Sequence, residues 1–448
     1  MKVSRRGFLA GSAGLVLSFH VPSLVRAAPA AAQPLPSPNA FLRIGSDDSV
    51  TVLLAHSEMG QGIWTGLAML IAEELECDWA KVRSEHAPAA PVYARAGMGI
   101  QMTGGSSSTR GELDRYRTIG AAAKEMLLRA AAARWKTQPE KLTAAKGVIS
   151  FGKKTLSYGA VAEEAMKLAP PAAVTLKEPK DWKLIGTMVR RLDTPEKITG
   201  KAQFGIDVSF PGLRTAVVLR PPAFGARLLK FDPAEALKVP DVEQVVQSAN
   251  GVAVVARHFW AAKLGRDALR AEWSAPEGGG ASTEKILAGF RELSKSEGST
   301  ALDTGAVKGA IDGAARKLDV SYEVPYLAHA MMEPLNCTVK IEGDRCEIWT
   351  GTQFQTVDQA AAAKILGTTP DKVTLHTPFL GGGFGRRANP VSDFVSEAVI
   401  VAKAAGVPVK VVWTREDDIR GGYYRPAYVH RVQVGVDKAG LPVAWHHV

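Results

Sequence analysis

The run Gly381-Gly382-Gly383-Phe384-Gly385-Arg386-Arg387 constrains this chain more than any other segment. Four glycines around one aromatic give a backbone that turns through positive φ and gathers its N–H groups at one point. A strand-like alternation from Val373 to Leu380 precedes the run, and helical spacing (Val391, Val395, Ala398, Val399, Ala402) follows it. The loop therefore sits at a strand-to-helix junction. There Gly382, Gly383, Phe384 and Gly385 form a candidate anion cradle, to which Arg386 and Arg387 can add charge-assisted donors. Neither common phosphate loop fits. A Rossmann fingerprint needs glycine where Arg386 stands, and a Walker A loop needs Gly-Lys-Ser/Thr. A tight turn that holds no ligand accounts for the same residues equally well.

Two more glycine-rich segments lie just ahead of helical patterns. His56-Ser57-Glu58-Met59-Gly60-Gln61-Gly62 follows a β-like run (Val50 to Ala55) and precedes a helix whose apolar face is Ile63, Leu67, Leu70, Ile71 and Leu75. Its first N–H groups are expected to be free for a ligand. Thr103-Gly104-Gly105-Ser106-Ser107-Ser108-Thr109-Arg110-Gly111 brings five hydroxyls to the start of a long helical pattern that runs to about Trp135. A helix N-terminus favours negative charge, so this is a second candidate phosphate seat. Each loop alone is equally a capped, solvated turn. Three in one chain favour a large anionic cofactor.

The 448 residues suggest about three domains with ample core. Ser4-Arg5-Arg6-Gly7-Phe8-Leu9, the weakly apolar stretch Ala10 to Val25 and small residues near Ala27 and Ala30 match a twin-arginine export signal over 1–28. A membrane anchor is the competing reading, weakened by Gly11, Ser12, Gly14, Ser18 and Pro22. The net charge of +10 includes Lys2, Arg5, Arg6 and Arg26, and removing these four leaves +6. That diffuse excess, with no basic run interleaved with aromatics, argues against nucleic-acid binding. Three cysteines (Cys77, Cys337, Cys346) are too few for a thiolate-held 2Fe–2S cluster, which needs four. Cys337 and Cys346 flank a hairpin turn at Gly343-Asp344 whose register sets Cys346 opposite Ile341, so they are expected to pack as free thiols. No metal-finger spacing of His and Cys occurs.

With these loops, Trp349-Thr350-Gly351-Thr352-Gln353 and His329-Ala330-Met331-Met332-Glu333-Pro334 complete a set in which the chain resembles the molybdopterin-binding subunits of the xanthine dehydrogenase/aldehyde oxidase family. Within it, the resemblance is to the isoquinoline 1-oxidoreductase β-subunit-like branch. The fold this implies is α+β to α/β: molybdopterin-binding segments at 41–168 and 285–448 around an α/β hammerhead domain at 188–275, with 29–40 a linker. The hammerhead match begins at Arg191-Leu192-Asp193. Because the Met-Gly-Gln-Gly segment precedes it here, the order looks circularly permuted relative to xanthine dehydrogenases. The resemblance implies molybdenum carried by molybdopterin cytosine dinucleotide, with no protein ligand to the metal. It assigns Gly60, Gln61, Gly62, Gly105, Ser106, Ser107, Ser108, Thr109, Gln353, Gly382, Gly383, Phe384, Gly385 and Arg386 to cofactor binding. Gln353 would bond a ligand of the metal, and Phe384 would lie near the substrate.

The same resemblance implies an exported, periplasmic hydroxylase for an aldehyde or N-heteroaromatic compound, with water as the oxygen source. Its partners would be a small 2Fe–2S subunit and a cytochrome c, through which it can sit at the inner membrane. Two departures qualify the match. Ala388 stands where some xanthine dehydrogenases carry a substrate-binding glutamate, so purines are not the expected substrate. The family's catalytic glutamate, in a Gly-x-Gly-Glu-like segment near the C-terminus of a longer subunit, has no counterpart up to Val448. No catalytic residue is therefore assigned, a missing C-terminal part of the subunit is expected as a partner, and this chain alone is expected to be inactive. A non-catalytic periplasmic ligand-binding protein or an inactive fragment would share the export signal and the α/β content. A nicotinamide or flavin dehydrogenase would need the absent Rossmann spacing.

Overall fold

The computed structural model describes the backbone of 14–17 and residues 41–95, 97–277 and 281–448. Apart from the backbone of Gly14–Leu17, the expected export signal and linker lie outside the described residues, as does Gly278-Gly279-Gly280.

The first layer is a four-stranded sheet in the order Gly14–Leu17, Leu42–Gly45, Val50–Leu54, Val82–His86. Its last two strands run parallel, and a parallel pair needs a crossover. Ile63–Leu75 supplies it, and the five apolar residues whose spacing predicts a buried face are all buried. The long helix Ser108–Trp135 packs across this one and ends at the expected tryptophan. Two tyrosines fasten the layers. Tyr116 Oη donates to Leu53 O at 3.1 Å and accepts from Ala55 N at 2.9 Å. Tyr158 Oη, in the helix Tyr158–Met166, donates to Leu75 O at 2.6 Å.

The second layer is a seven-stranded mixed sheet in the order Val242–Gln247, Val252–Ala256, Arg214–Leu219, Val409–Val412, Asn336–Glu342, Arg345–Trp349, Val373–His376. Strands from 188–275 thus continue into strands from 285–448, joined by the parallel pairing of Arg214–Ala216 with Val409–Val411. Helices Gln355–Leu366 and Asp393–Ala405 close the core, with Phe394, Val395, Ala398, Val399 and Ala402 buried. In the hairpin, Ile341 faces Cys346, and both Cys337 and Cys346 are free thiols whose pKa burial pushes up. The strand expected from Val373 to Leu380 stops at His376. Pro378 has no N–H to offer a ladder, and the chain turns there toward the glycine-rich loop. A separate three-stranded sheet (Arg316–Val324, Tyr428–Val436, Pro442–His447) contains a hairpin formed by its last two strands. Its turn is held by Asp437 Oδ1, which accepts from Ala439 N and Leu441 N.

The crossing of Ser108–Trp135 over Ile63–Leu75 depends on Gly120. A Cβ there would lie 2.5 Å from Ile71 O and 3.1 Å from Ile71 Cα, both backbone atoms that cannot swing aside. Alanine improves helix propensity by about 1 kcal/mol, whereas overpacking costs about 1–3 kcal/mol. Gly120→Ala is expected to destabilise the chain by about 1–2 kcal/mol, seen as a lower urea midpoint at unchanged slope.

Candidate cofactor-binding site

The three glycine-rich loops meet at the side chain of Gln353, which is buried on the turn between Arg345–Trp349 and Gln355–Leu366. Its Nε2 donates to Thr103 O at 2.8 Å, and its Oε1 accepts from Gly385 N at 3.2 Å. Backbone bonds reinforce both links: Thr103 N donates to Gln353 O, and Gln353 N to Arg387 O. The third loop arrives beside Gly383. A Cβ on Gly383 would stand 2.5 Å from Gln353 Oε1 and 2.7 Å from Met59 Sδ, so any other residue would have to displace one of these side chains. Leu380 N also donates to Glu58 O at 3.1 Å.

The loop Met59–Gly62 differs from its sequence reading in one respect. Gly60 and Gly62 have positive φ of 106° and 93°, and their N–H groups converge. They converge on the chain's own Glu58. Its Oε1 accepts from Gly60 N (2.8 Å) and Gly62 N (3.2 Å), and its Oε2 from Trp64 N (2.9 Å). Arg191 Nη2 lies 3.0 Å and Lys197 Nζ 3.7 Å from the same carboxylate. The donors are therefore taken, because a fully buried carboxylate must find partners and the helix N-terminus is the nearest cluster of them. Gln61, though exposed, is bonded back onto its own loop: its Oε1 accepts from Met59 N and its Nε2 donates to Ser57 O. Arg191 and Lys197 also hold Asp193, keeping its carboxyl below the ordinary range despite burial. His86 Nε2 accepts from Glu58 N and Nδ1 bonds Thr377 O; burial lowers its pKa to about 4, so it is a neutral brace.

The second loop keeps its donors. Gly105 and Ser106 have φ of 64° and 51°, and Ser107 is the N-cap of Ser108–Trp135 without a side-chain cap bond or an acid in the first turn. Ser107 Oγ donates to Gly104 O, and Ser108 Oγ pairs with His56 Nδ1, whose Nε2 faces Glu112 at 3.2 Å. Gly105, Ser106 and Thr109 are exposed beside this helix end.

In the third loop, the N–H groups of Gly382, Gly383 and Phe384 donate to no atom among the described residues, and Phe384 is exposed at φ 54°. The two arginines brace the loop from below. Arg387 is wholly buried and donates to Gly382 O, Gly351 O, Glu333 O and Glu333 Oε2 at 2.9–3.1 Å. Arg386 makes a bidentate pair with Asp393 at 3.0 and 2.6 Å, so it does not face an open anion site. Glu333, like Glu58 a candidate base by composition only, ties Gly381 N, Ile206 N and Asn336 Nδ2 to Arg387. Neither Glu58 nor Glu333 is free to act as a base. Among the described residues, no three His, Cys, Asp or Glu side chains are placed to hold a metal ion, and no helix is long and apolar enough to cross a membrane.

Two family profiles, both described as molybdopterin cofactor-binding domains, match residues 10–208 and 292–447. The isoquinoline 1-oxidoreductase subunit beta of Brevundimonas diminuta is 32% identical over 97% of this chain and 62% of its own length. The membrane-bound aldehyde dehydrogenase (pyrroloquinoline-quinone) of Gluconacetobacter polyoxogenes is 33% identical over 97% of this chain and 58% of its own. Among solved structures, quinoline 2-oxidoreductase from Pseudomonas putida 86 is similar at a TM-score of 0.45 and 20% identity, over 59% of this chain and 39% of that one. The chain thus spans about three-fifths of the length of the two curated relatives.

The turn that carries Gln353 rests on a buried acid. Thr352 Oγ1 bonds the Asp358 carboxyl and accepts from Phe354 N. Burial raises the Asp358 pKa to about 7, against the opposing hydroxyls of Ser392 and Thr352. In the unfolded chain the group ionises near pH 3.9. Between those values the folded state binds more protons, so this contribution is complete below about pH 4 and is lost as pH rises toward 7. The slope is at most roughly 1.4 kcal/mol per pH unit. Chemical denaturation across that range should show the decline in the wild type relative to Asp358→Asn, which cannot titrate.

Proposed function

Because the chain belongs to the molybdopterin-binding subunits of the xanthine dehydrogenase/aldehyde oxidase family, we propose that it is the molybdenum-carrying part of an exported hydroxylase for an aldehyde or N-heteroaromatic substrate. The observation that carries this is the convergence on Gln353 of three loops, two of which retain uncommitted N–H donors. That donor set suits a large, phosphate-bearing group. Bound there, a molybdenum–pterin group would supply an electron sink and a water-derived nucleophile.

The protein's own contribution is position. Gln353 spends one Nε2 hydrogen on Thr103 and keeps the second for a ligand atom. Gly382, Gly383 and Phe384 offer three backbone donors, and the Ser107 end of the long helix offers a seat for a phosphate, which we read as that of a cytosine dinucleotide. Gly60, Gln61 and Gly62 act through shape, since Glu58 already neutralises their dipole. Arg386 supports the loop from Asp393. The committed roles of Glu58 and Glu333 support a catalytic base supplied from elsewhere in the assembly. Residues 188–275 are read as a hammerhead domain, in permuted order, from sequence resemblance.

The names of the relatives support the substrate class, and the scarcity of cysteine supports a separate 2Fe–2S subunit, with a cytochrome c as onward acceptor. Expressed with such a partner in a host that makes the dinucleotide, the chain should carry molybdenum and release cytidine monophosphate on acid treatment. Gly383→Ala should lower the molybdenum content by about tenfold or more, because its Cβ displaces Gln353 or Met59. A preparation that contains quinone and no molybdenum would overturn the cofactor assignment.

Export is proposed from Arg5 and Arg6. Arg5→Lys with Arg6→Lys should leave folded protein in the cytoplasm, whereas unchanged periplasmic accumulation would refute the twin-arginine reading.

A further inference from the structure

A cavity of about 490 Å3 opens between the first turn of the helix Phe259–Ala268 and the strand Val409–Val412, and no residue of the three glycine-rich loops lines it. Its wall is apolar, formed by Ile206, Phe259, Trp260, Pro334, Val412 and Trp413. Trp260 leaves more than half of its surface exposed, and Phe259 more than a third, beside this opening. A volume of this size suits a small organic ligand whose rings replace water on those faces.

The charges around the wall are unevenly committed. Lys263 is paired with Asp267 at 2.7 Å, and Arg415 with Asp418 at 3.1 Å while also donating to the carbonyls of Met331 and Met332. Glu416, the carboxylate of the lining, is exposed. Lys410 differs: it is partly buried, donates to Ile206 O at 2.6 Å, and makes no ion pair among the described residues. Burial lowers its pKa below the ordinary lysine value, with Asp207 opposing. Two of its three hydrogens remain for an acceptor, and an anion there would give this half-buried ammonium a counter-charge.

We propose that this cavity binds a small aromatic carboxylate, its ring against Trp260, Phe259 and Pro334 and its carboxylate on Lys410 Nζ. The site is separate from the loops around Gln353 and does not depend on the cofactor reading. Trp413 nonetheless ties it to them, because Arg220 stacks on that ring at 3.7 Å and Arg386 lies 5.5 Å away.

The test is a ligand-detected NMR titration of the full chain with 2-naphthoate and with its neutral analogue 2-naphthalenemethanol. Naphthoate is expected to bind at about 1 mM or tighter. Lys410→Met should weaken naphthoate by about tenfold or more while leaving the alcohol unchanged, as expected for loss of one charge-assisted bond. Trp260→Ala, at a half-exposed position, should weaken both ligands. No binding by the wild type, undiminished naphthoate binding by Lys410→Met, or indifference of both ligands to Trp260→Ala would each overturn the proposal.

Discussion

The burial of one guanidinium organises the region around the glycine-rich loop. Arg387 is fully enclosed, a state that would cost several kcal/mol if any part of it went unpaired. It is tolerated because three carbonyls and the Glu333 carboxylate surround it, and those partners come from three separate stretches of chain: Gly351, Glu333 and Gly382. Satisfying the charge therefore fixes where the stretches lie relative to one another. Glu333 carries the constraint outward to Gly381, Ile206 and Asn336. The loop above is held in shape before any ligand arrives, so little ordering cost remains for binding.

The same logic runs in reverse at the Gly60 loop. A nest of N–H groups at a helix start attracts an anion, and the cheapest anion is a side chain two residues away. Glu58 fills the nest and recruits Arg191 and Lys197 from beyond residue 188, so the first layer is clamped to the segment that leads into the seven-stranded sheet. The three glycine-rich loops thus divide their roles. The Gly60 loop spends its electrostatics on assembly, while the Gly382–Phe384 backbone and the helix beginning at Ser108 keep theirs open.

Local pattern carried a good part of this into the sequence. The apolar faces of Ile63–Leu75 and Asp393–Ala405, the hairpin that sets Ile341 against Cys346 and the meeting of the three loops all follow from periodicity, glycine placement and family resemblance. What could not be read was which anion each donor takes. Glu58 lies inside its own motif, yet nothing local tells an acid that fills the nest from one that leaves it empty. Arg386 and Arg387 read as ligand donors because adjacent arginines after glycines do so in general; their partners Asp393 and Glu333 are 7 and 54 residues away, and only the fold brings them near. The cavity beside Lys410 had no sequence signal at all, since its walls come from four distant segments.

Arg386 also connects the glycine loop to the strands of 188–275. Arg386 holds Asp393 at the start of the helix Asp393–Ala405, and one turn on, Glu397 holds Arg220, which follows the strand Arg214–Leu219. Burial raises the Glu397 pKa, with Arg220 opposing. Arg220 lies on the Trp413 ring and reaches Asp417, which also binds Arg266 of the helix Phe259–Ala268. In so enclosed a chain of charges, removing one member leaves its neighbour desolvated and unpaired, a larger penalty than the loss of any one bond. The network runs from Arg386, beneath the open donors at Gly382–Phe384, to Trp413 on the wall of the cavity beside Lys410.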